Sequence, residues 1–280
     1  MRSRGFRCAV VSVLLVWASW AFAATDAVVL LHTNDLHDHI RPGYDGVGGM
    51  PYVSGYIQSV TAERDDVLVV DGGDVMEKGD MLSFVTKSAV MYEAMGRVGY
   101  DVGAVGNHDV AYGVAHLREC ERLAGNMGLV CVNYVDAQGK PCFAPSKVFD
   151  VDGVKVGVIG MTVPKGEGAF LGTKASAEAV AAEAARLKPE VHVVVLTCHM
   201  GSGDCRAVSK LAPQVDVFLA GHTHELLREV SVVEETGALI VQTGQYACYV
   251  GRLDLVVDLD SGDIVQHDYA LTKLDHDRIP

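Results

Sequence analysis

Short apolar runs rich in Val and Leu recur along the chain, and amphipathic stretches of helical period fall between them. Ala27 to Leu31 is apolar without alternation, the pattern of a strand covered on both faces. Val67–Val70, Val102–Val105, Leu129–Asn133, Val191–Thr197 and Val215–Ala220 read the same way. Helical patterns are predicted over Pro51–Arg64, Met81–Val98, Gly113–Met127 and the Ala-rich Ala175–Leu187, with Pro51 suited to a first turn and Pro189 lying beyond an end. Val148–Asp150 and Val154–Met161 flank Asp152-Gly153, a hairpin signal. From Leu227 onward the pattern is mostly strand, with turns at Glu235–Gly237 and Asp260–Asp263. Strand–helix alternation followed by strands predicts an α/β protein, built on one mixed sheet or on two stacked sheets with outer helices.

The first residues stand outside this pattern. Arg2, Arg4 and Arg7 precede an apolar segment from Ala9 to Trp20, and Ala21-Phe22-Ala23 has small–x–small spacing. This is the layout of a signal peptide over residues 1–23, cut near Ala23 or Ala24, with an uncleaved anchor as the alternative. Export to a periplasmic or secreted location is expected, with residues 24–280 forming a single domain without repeats or a Pro-rich linker. The chain is acidic, with 23 Lys and Arg against 36 Asp and Glu, and loss of the leader arginines makes it more so. Such a surface disfavours nucleic acid or anionic lipid as a partner, and an anionic substrate would need local positive charge. Cys120, Cys131, Cys142, Cys198, Cys205 and Cys248 remain after the leader. An even number permits disulfides in an oxidising compartment without fixing their pairing, and the lack of a CxxC pair argues against a cysteine zinc site.

Candidate chemistry lies where the strands end. Asp35 and His37 follow the first strand and Asp74 the second. Asn107 and His108 follow the third, and His199, His222 and His224 follow later ones. Singly, each has an ordinary reading as a turn residue, a helix cap or a surface histidine. Repetition after apolar strands, beside glycines that allow close approach, points to one mixed nitrogen and oxygen ligand set. Such a set suits Zn, Mn, Fe or Co rather than Ca or Mg alone.

The ordered series Asp35-x-His37, Gly73-Asp74, Gly106-Asn107-His108-Asp109, His199-Met200-Gly201 and Gly221-His222-x-His224 resembles the calcineurin-like metallophosphoesterases. Leu31–Asp35 and Tyr249–Leu255 are similar to the 5′-nucleotidase and UDP-sugar hydrolase branch. The resemblance implies a four-layer α/β/β/α sandwich with two mixed sheets and two divalent metal ions. Asp35, His37 and His224 would hold one ion and Asn107, His199 and His222 the other, with Asp74 bridging. His108 would stabilise the transition state or protonate the leaving group. The implied activity is hydrolysis of phosphomonoesters or phosphodiesters, with nucleotides as substrates.

Three departures accompany the likeness. Ala111 stands where the branch places an Asp that orients the histidine, and Asp109 is the nearby substitute. Asp38 replaces a usual Gly and adds a carboxylate beside His37, to tighten metal binding or repel an anion. With the sequence ending at Pro280, no C-terminal specificity domain like that of the nucleotidases is expected, and a protein partner that supplies specificity, or an open site of broad range, is the expectation that goes with it. Lys78, Arg41 and Lys165 lie in loops, where solvated surface charge is the simpler reading. The competing reading is a metal-containing binding or partner-dependent protein with little activity of its own.

Overall fold

The computed structural model describes residues 24–165 and 169–279. The expected signal peptide lies outside the described residues. Two six-stranded sheets and one two-stranded sheet form the framework. In the first large sheet, β1 (Thr25–Thr33), β2 (Val67–Asp71), β3 (Val102–Ala104) and β4 (Gly128–Val130) run parallel. The antiparallel pair β13 (Tyr249–Asp258) and β14 (Ile264–Lys273) extends its other edge, with β13 against β1. The second sheet has the order β11 (Ser231–Val232), β12 (Leu239–Val241), β10 (Val217–Ala220), β9 (Val193–His199), β7 (Val154–Thr162) and β6 (Ser146–Val151). Strands β5 (Tyr134–Val135) and β8 (Ala169–Phe170) pair separately.

Each large sheet is apolar on both faces, which gives the layers. On β1, Val28 and Leu30 join the cluster between the sheets, whereas Val29 and Leu31 join a second cluster on the opposite face. That second cluster takes residues from α1 (Met50–Thr61), α3 (Ala89–Val98) and α4 (Gly113–Leu123). A third cluster packs α5 (Thr173–Leu187) and α6 (Ser202–Leu211) on the second sheet. The result is the expected α/β/β/α sandwich with two mixed sheets. Among the described residues no helix is long and apolar enough to cross a membrane.

The expected helix over Met81–Val98 is two helices, α2 (Met81–Val85) and α3. Lys87 and Ser88 take left-handed backbone with φ of 50° and 65°. Ser88 is drawn inward, where its hydroxyl donates to Asp38 Oδ2 at 2.9 Å, so a tertiary hydrogen bond overrides the local helical preference. All six cysteines of the described chain are free.

The sheets pinch together where Gly160 of β7 meets Val130 of β4. Val132 N–H donates to Gly160 O at 2.8 Å, and a Cβ at position 160 would lie 2.0 Å from Val130 O. Only a residue without a side chain fits against that carbonyl. Gly160→Ala is expected to destabilise the fold by about 1–3 kcal/mol, the usual range for forced overpacking. A lowered urea midpoint with an unchanged slope would report it, whereas an unshifted midpoint would show that the sheets separate freely.

Candidate metal centre

Parallel strands of both sheets end at one edge of the sandwich, and their last residues face each other. Asp35 and His37 follow β1, Asp74 follows β2, and Asn107 and His108 follow β3. From the second sheet, His199 ends β9, while His222 and His224 follow β10. Thr197 Oγ1 donates to Asp71 O at 3.1 Å across the sheets, which ties the two sets of strand ends together. The turns are sharp. Asp35, His37, Asp74, His222 and His224 all have positive φ, between 44° and 68°, an uncommon geometry that costs non-glycine residues energy and clusters at functional sites.

Hydrogen bonds lock one side of each buried ligand group and leave the other side free. Asp35 Oδ2 accepts from Asn34 Nδ2 at 2.7 Å and from His222 N at 3.0 Å, while its Oδ1 has no hydrogen-bond partner. Asp74 Oδ1 accepts from His108 N at 2.7 Å, leaving Oδ2 facing His199 Nε2 at 3.0 Å. His199 Nδ1–H donates to Gly72 O at 2.7 Å, and His37 Nδ1–H to Met76 O at 3.1 Å. Those bonds fix the ring orientations and turn both Nε2 atoms inward. Gly106 permits the approach, since a Cβ there would sit 2.2 Å from Asp74 Oδ1.

Two clusters of donors result. Asp35, His37 and His224 form one, and Asp74, His199 and His222 form the other, the donor atoms within each lying within 4.8 Å of one another. His37 Nε2 and His224 Nε2 approach to 3.2 Å, a pairing that needs a shared proton or a cation between the nitrogens. Asn107 Oδ1 and His199 Nε2 are also buried without hydrogen-bond partners. Buried polar atoms are rarely left so, and this donor chemistry fits divalent ions that take nitrogen and oxygen. Electrostatics agree. Burial lowers the His37 pKa to about 4 and also lowers that of His222, so both are neutral donors. Burial opposes charge on His199 and Asp74 too, but their mutual attraction prevails, raising the imidazole's pKa and lowering the carboxyl's.

A cavity of about 550 Å³ opens over both clusters, lined by Asp74, Glu77, Asn107, His108, His222 and His224. Lys78 and Lys165 also line it, so these two cations face the site rather than bulk surface alone. Arg41 does not line it and is paired with Asp80 in a separate depression.

The structure corrects two expectations. Asp109 is fully buried and does not line the cavity. Its carboxylate accepts from four backbone N–H groups, those of Asp74, Val75, Met76 and Gly106, at 2.7–3.1 Å. It therefore holds the loops that carry Asp74 and Asn107 and does not orient His108. The carboxylate on His108 is Glu77, whose Oε2 accepts from Nδ1 at 2.5 Å. Sequence reading missed Glu77, although its position three residues after Asp74 in the same loop was a usable signal. Asp38 likewise does not face the site. Its Oδ2 accepts from Glu77 N at 2.7 Å and from Ser88, and burial raises its pKa to about 6.

Residues 28–226 match the calcineurin-like phosphoesterase family. The chain belongs to that family. Among curated proteins it is 27% identical to the endonuclease YhcR of Bacillus subtilis, over 89% of this chain and 24% of that protein. It is also 27% identical to a 5′-nucleotidase of Vibrio cholerae, over 84% of this chain and 50% of the relative. Among solved structures, a 5′-nucleotidase precursor from Thermus thermophilus superposes with a TM-score of 0.80 at 26% identity, covering 91% of this chain and 56% of the other. The chain thus spans about half the length, or less, of the curated relatives it matches.

Asp109→Ala would leave four buried N–H groups without acceptors, at roughly 1–3 kcal/mol for each group that finds no replacement. The expected outcome is a loss on the order of 3 kcal/mol or more in stability, with weakened metal uptake. Thermal unfolding and metal analysis would check both, and a variant as stable as the parent would contradict the anchoring role.

Proposed function

We propose that this chain is an exported metallophosphoesterase that uses two divalent ions to hydrolyse phosphomonoesters or phosphodiesters, nucleotides among them. One observation carries the reading. Asp35 Oδ1, Asn107 Oδ1 and His199 Nε2 are buried ligand-type atoms without hydrogen-bond partners, and they belong to the residue groups beside an open cavity that Asp74, Asn107, His222 and His224 line. Asp35, His37 and His224 would hold one ion, Asn107, His199 and His222 the second, and Asp74 both. Bound there, two divalent ions supply charge neutralisation for a phosphate and lower the pKa of water. Zn, Mn, Fe and Co all suit these ligands, and the chain does not select among them.

The chain's own residues carry the remaining work. Lys78 and Lys165 are the cations on the cavity wall that offset the acidic surface and attract a phosphate. His108, with Nδ1 bound to Glu77, has Nε2 left for the substrate, where it stabilises charge or protonates the departing oxygen. Ala111 is the one apolar side chain among the described residues that line the open cavity, which supports broad ester specificity. Export rests on the leader-like residues 1–23. The retained donors and the carboxylate on His108 favour an enzyme over a binding protein without activity.

The test is hydrolysis of p-nitrophenyl phosphate, bis-p-nitrophenyl phosphate and AMP with added Mn²⁺ or Zn²⁺. Chelation is expected to abolish turnover, and metal return to restore it. Asp74→Ala should cost more than the roughly 10–100-fold typical of residues that only support a ligand. A chain that holds two metals yet hydrolyses none of these esters would overturn the proposal in favour of a partner-dependent or binding role.

A further inference from the structure

Position 111 is an alanine on the cavity wall, too short to reach an imidazole, yet His108 is held by a carboxylate all the same. We infer that Glu77 is the positioning residue for His108 in this chain and that Asp38 in turn fixes Glu77. The inference rests on the phosphoesterase reading of the site.

The geometry is built in three steps. Glu77 sits in the loop after β2, with φ of 68°, and its side chain crosses to His108 Nδ1 at 2.5 Å. Its backbone N–H is not left to water but donates to Asp38 Oδ2 at 2.7 Å. Asp38 is buried and fixed by Ser88 Oγ at 2.9 Å, and its backbone O accepts from Asp80 N at 3.0 Å. Gly79 makes the crossing possible, because a Cβ there would meet the backbone of His37 and Asp38 at 2.4 Å. The break between α2 and α3 serves the same arrangement, since it delivers Ser88 to Asp38. Glu77, His108 and Ala111 line one cavity, which makes position 111 the place to test for a substitute carboxylate.

The consequence concerns one proton. With Nδ1–H donated to Glu77, the protonated ring offers Nε2–H to the departing oxygen. As the phosphorus–oxygen bond breaks, its electron pair stays on that oxygen, which takes the Nε2 proton and leaves as an alcohol. A water oxygen forms the new bond to phosphorus and its proton passes to solvent, from which neutral His108 regains its own. Orientation of this kind matters for an alkoxide leaving group and little for p-nitrophenolate, which departs without protonation.

The test compares the parent with Glu77→Gln, Glu77→Ala and Glu77→Ala/Ala111→Asp, all zinc-loaded, on AMP and p-nitrophenyl phosphate. The expected result for Glu77→Gln is a kcat on AMP reduced by about 10–100-fold, only a few-fold loss on p-nitrophenyl phosphate, and unchanged KM and metal content. The double variant should recover about tenfold or more on AMP relative to Glu77→Ala. A downfield histidine Nδ1–H proton resonance should be present in the parent and absent from Glu77→Gln. Equal losses on both esters, a change in KM alone, or no rescue by Ala111→Asp would overturn the inference. A parent inactive on both esters and on bis-p-nitrophenyl phosphate refutes the phosphoesterase reading instead. The resonance then still decides the Glu77 contact, and its absence from the parent refutes the inference on its own.

Discussion

The Asp74 carboxylate is the constraint on which the rest of the site depends. It is buried between two sheets, where an unpaired negative charge is costly, and only one of its oxygens has been given an N–H. Oδ2 faces His199 and, at 3.8 Å, His37, each from a different ligand cluster. An Asp in this position requires positive charge on both sides of it. Around it the chain spends glycine at 73 and 106, where a Cβ would strike the neighbouring loop, and a second buried carboxylate, Asp109, to hold that loop still.

The sandwich explains why such a residue can be held at all. Parallel strands deliver their ends to one edge, and stacking two sheets doubles the number of ends that converge there. Apolar packing on both faces of β1, β2, β9 and β10 makes those ends rigid. Left-handed turns then aim the side chains inward, and the energy they store is borne by a large core. The same architecture carries the His108 assembly, since Glu77 and His108 leave neighbouring strands β2 and β3 of one sheet.

Most of this framework was legible in sequence because it follows from local pattern. Covered strands show as apolar runs, and the candidate ligand residues show because each follows such a run. Where long-range hydrogen bonds decide the outcome, sequence reading erred. The helix over Met81–Val98 has good local periodicity, and nothing nearby announces that Asp38 will draw Ser88 out of it. Asp109 is adjacent to His108 in the chain, so it was the natural substitute for the carboxylate lacking at Ala111. Backbone direction turned it instead toward four amides. Glu77 shares the loop of Asp74, which marks it as a candidate, but it lies 31 residues from His108 in the chain, and no local pattern announces that pairing.

Buried carboxylates beyond the ligands give the site its electrostatic character. Burial raises the pKa of Asp71 to about 8 and that of Asp109 as well, with the Asp74 charge adding to the effect on Asp109. These groups resist ionisation together because each is desolvated and each repels the others. A proton on His199 offsets part of that charge, but burial opposes imidazolium at His37 and His222. Divalent cations change that balance at a distance of a few ångströms, for they favour every carboxylate as an anion and every imidazole as a neutral donor. Metal ions bound there would therefore be coupled to the ionisation of the supporting loops. Asp71 feels the charges of Asp109 and Asp35, and Asp109 feels that of Asp74, so these buried carboxylates share one field beneath the candidate ligands.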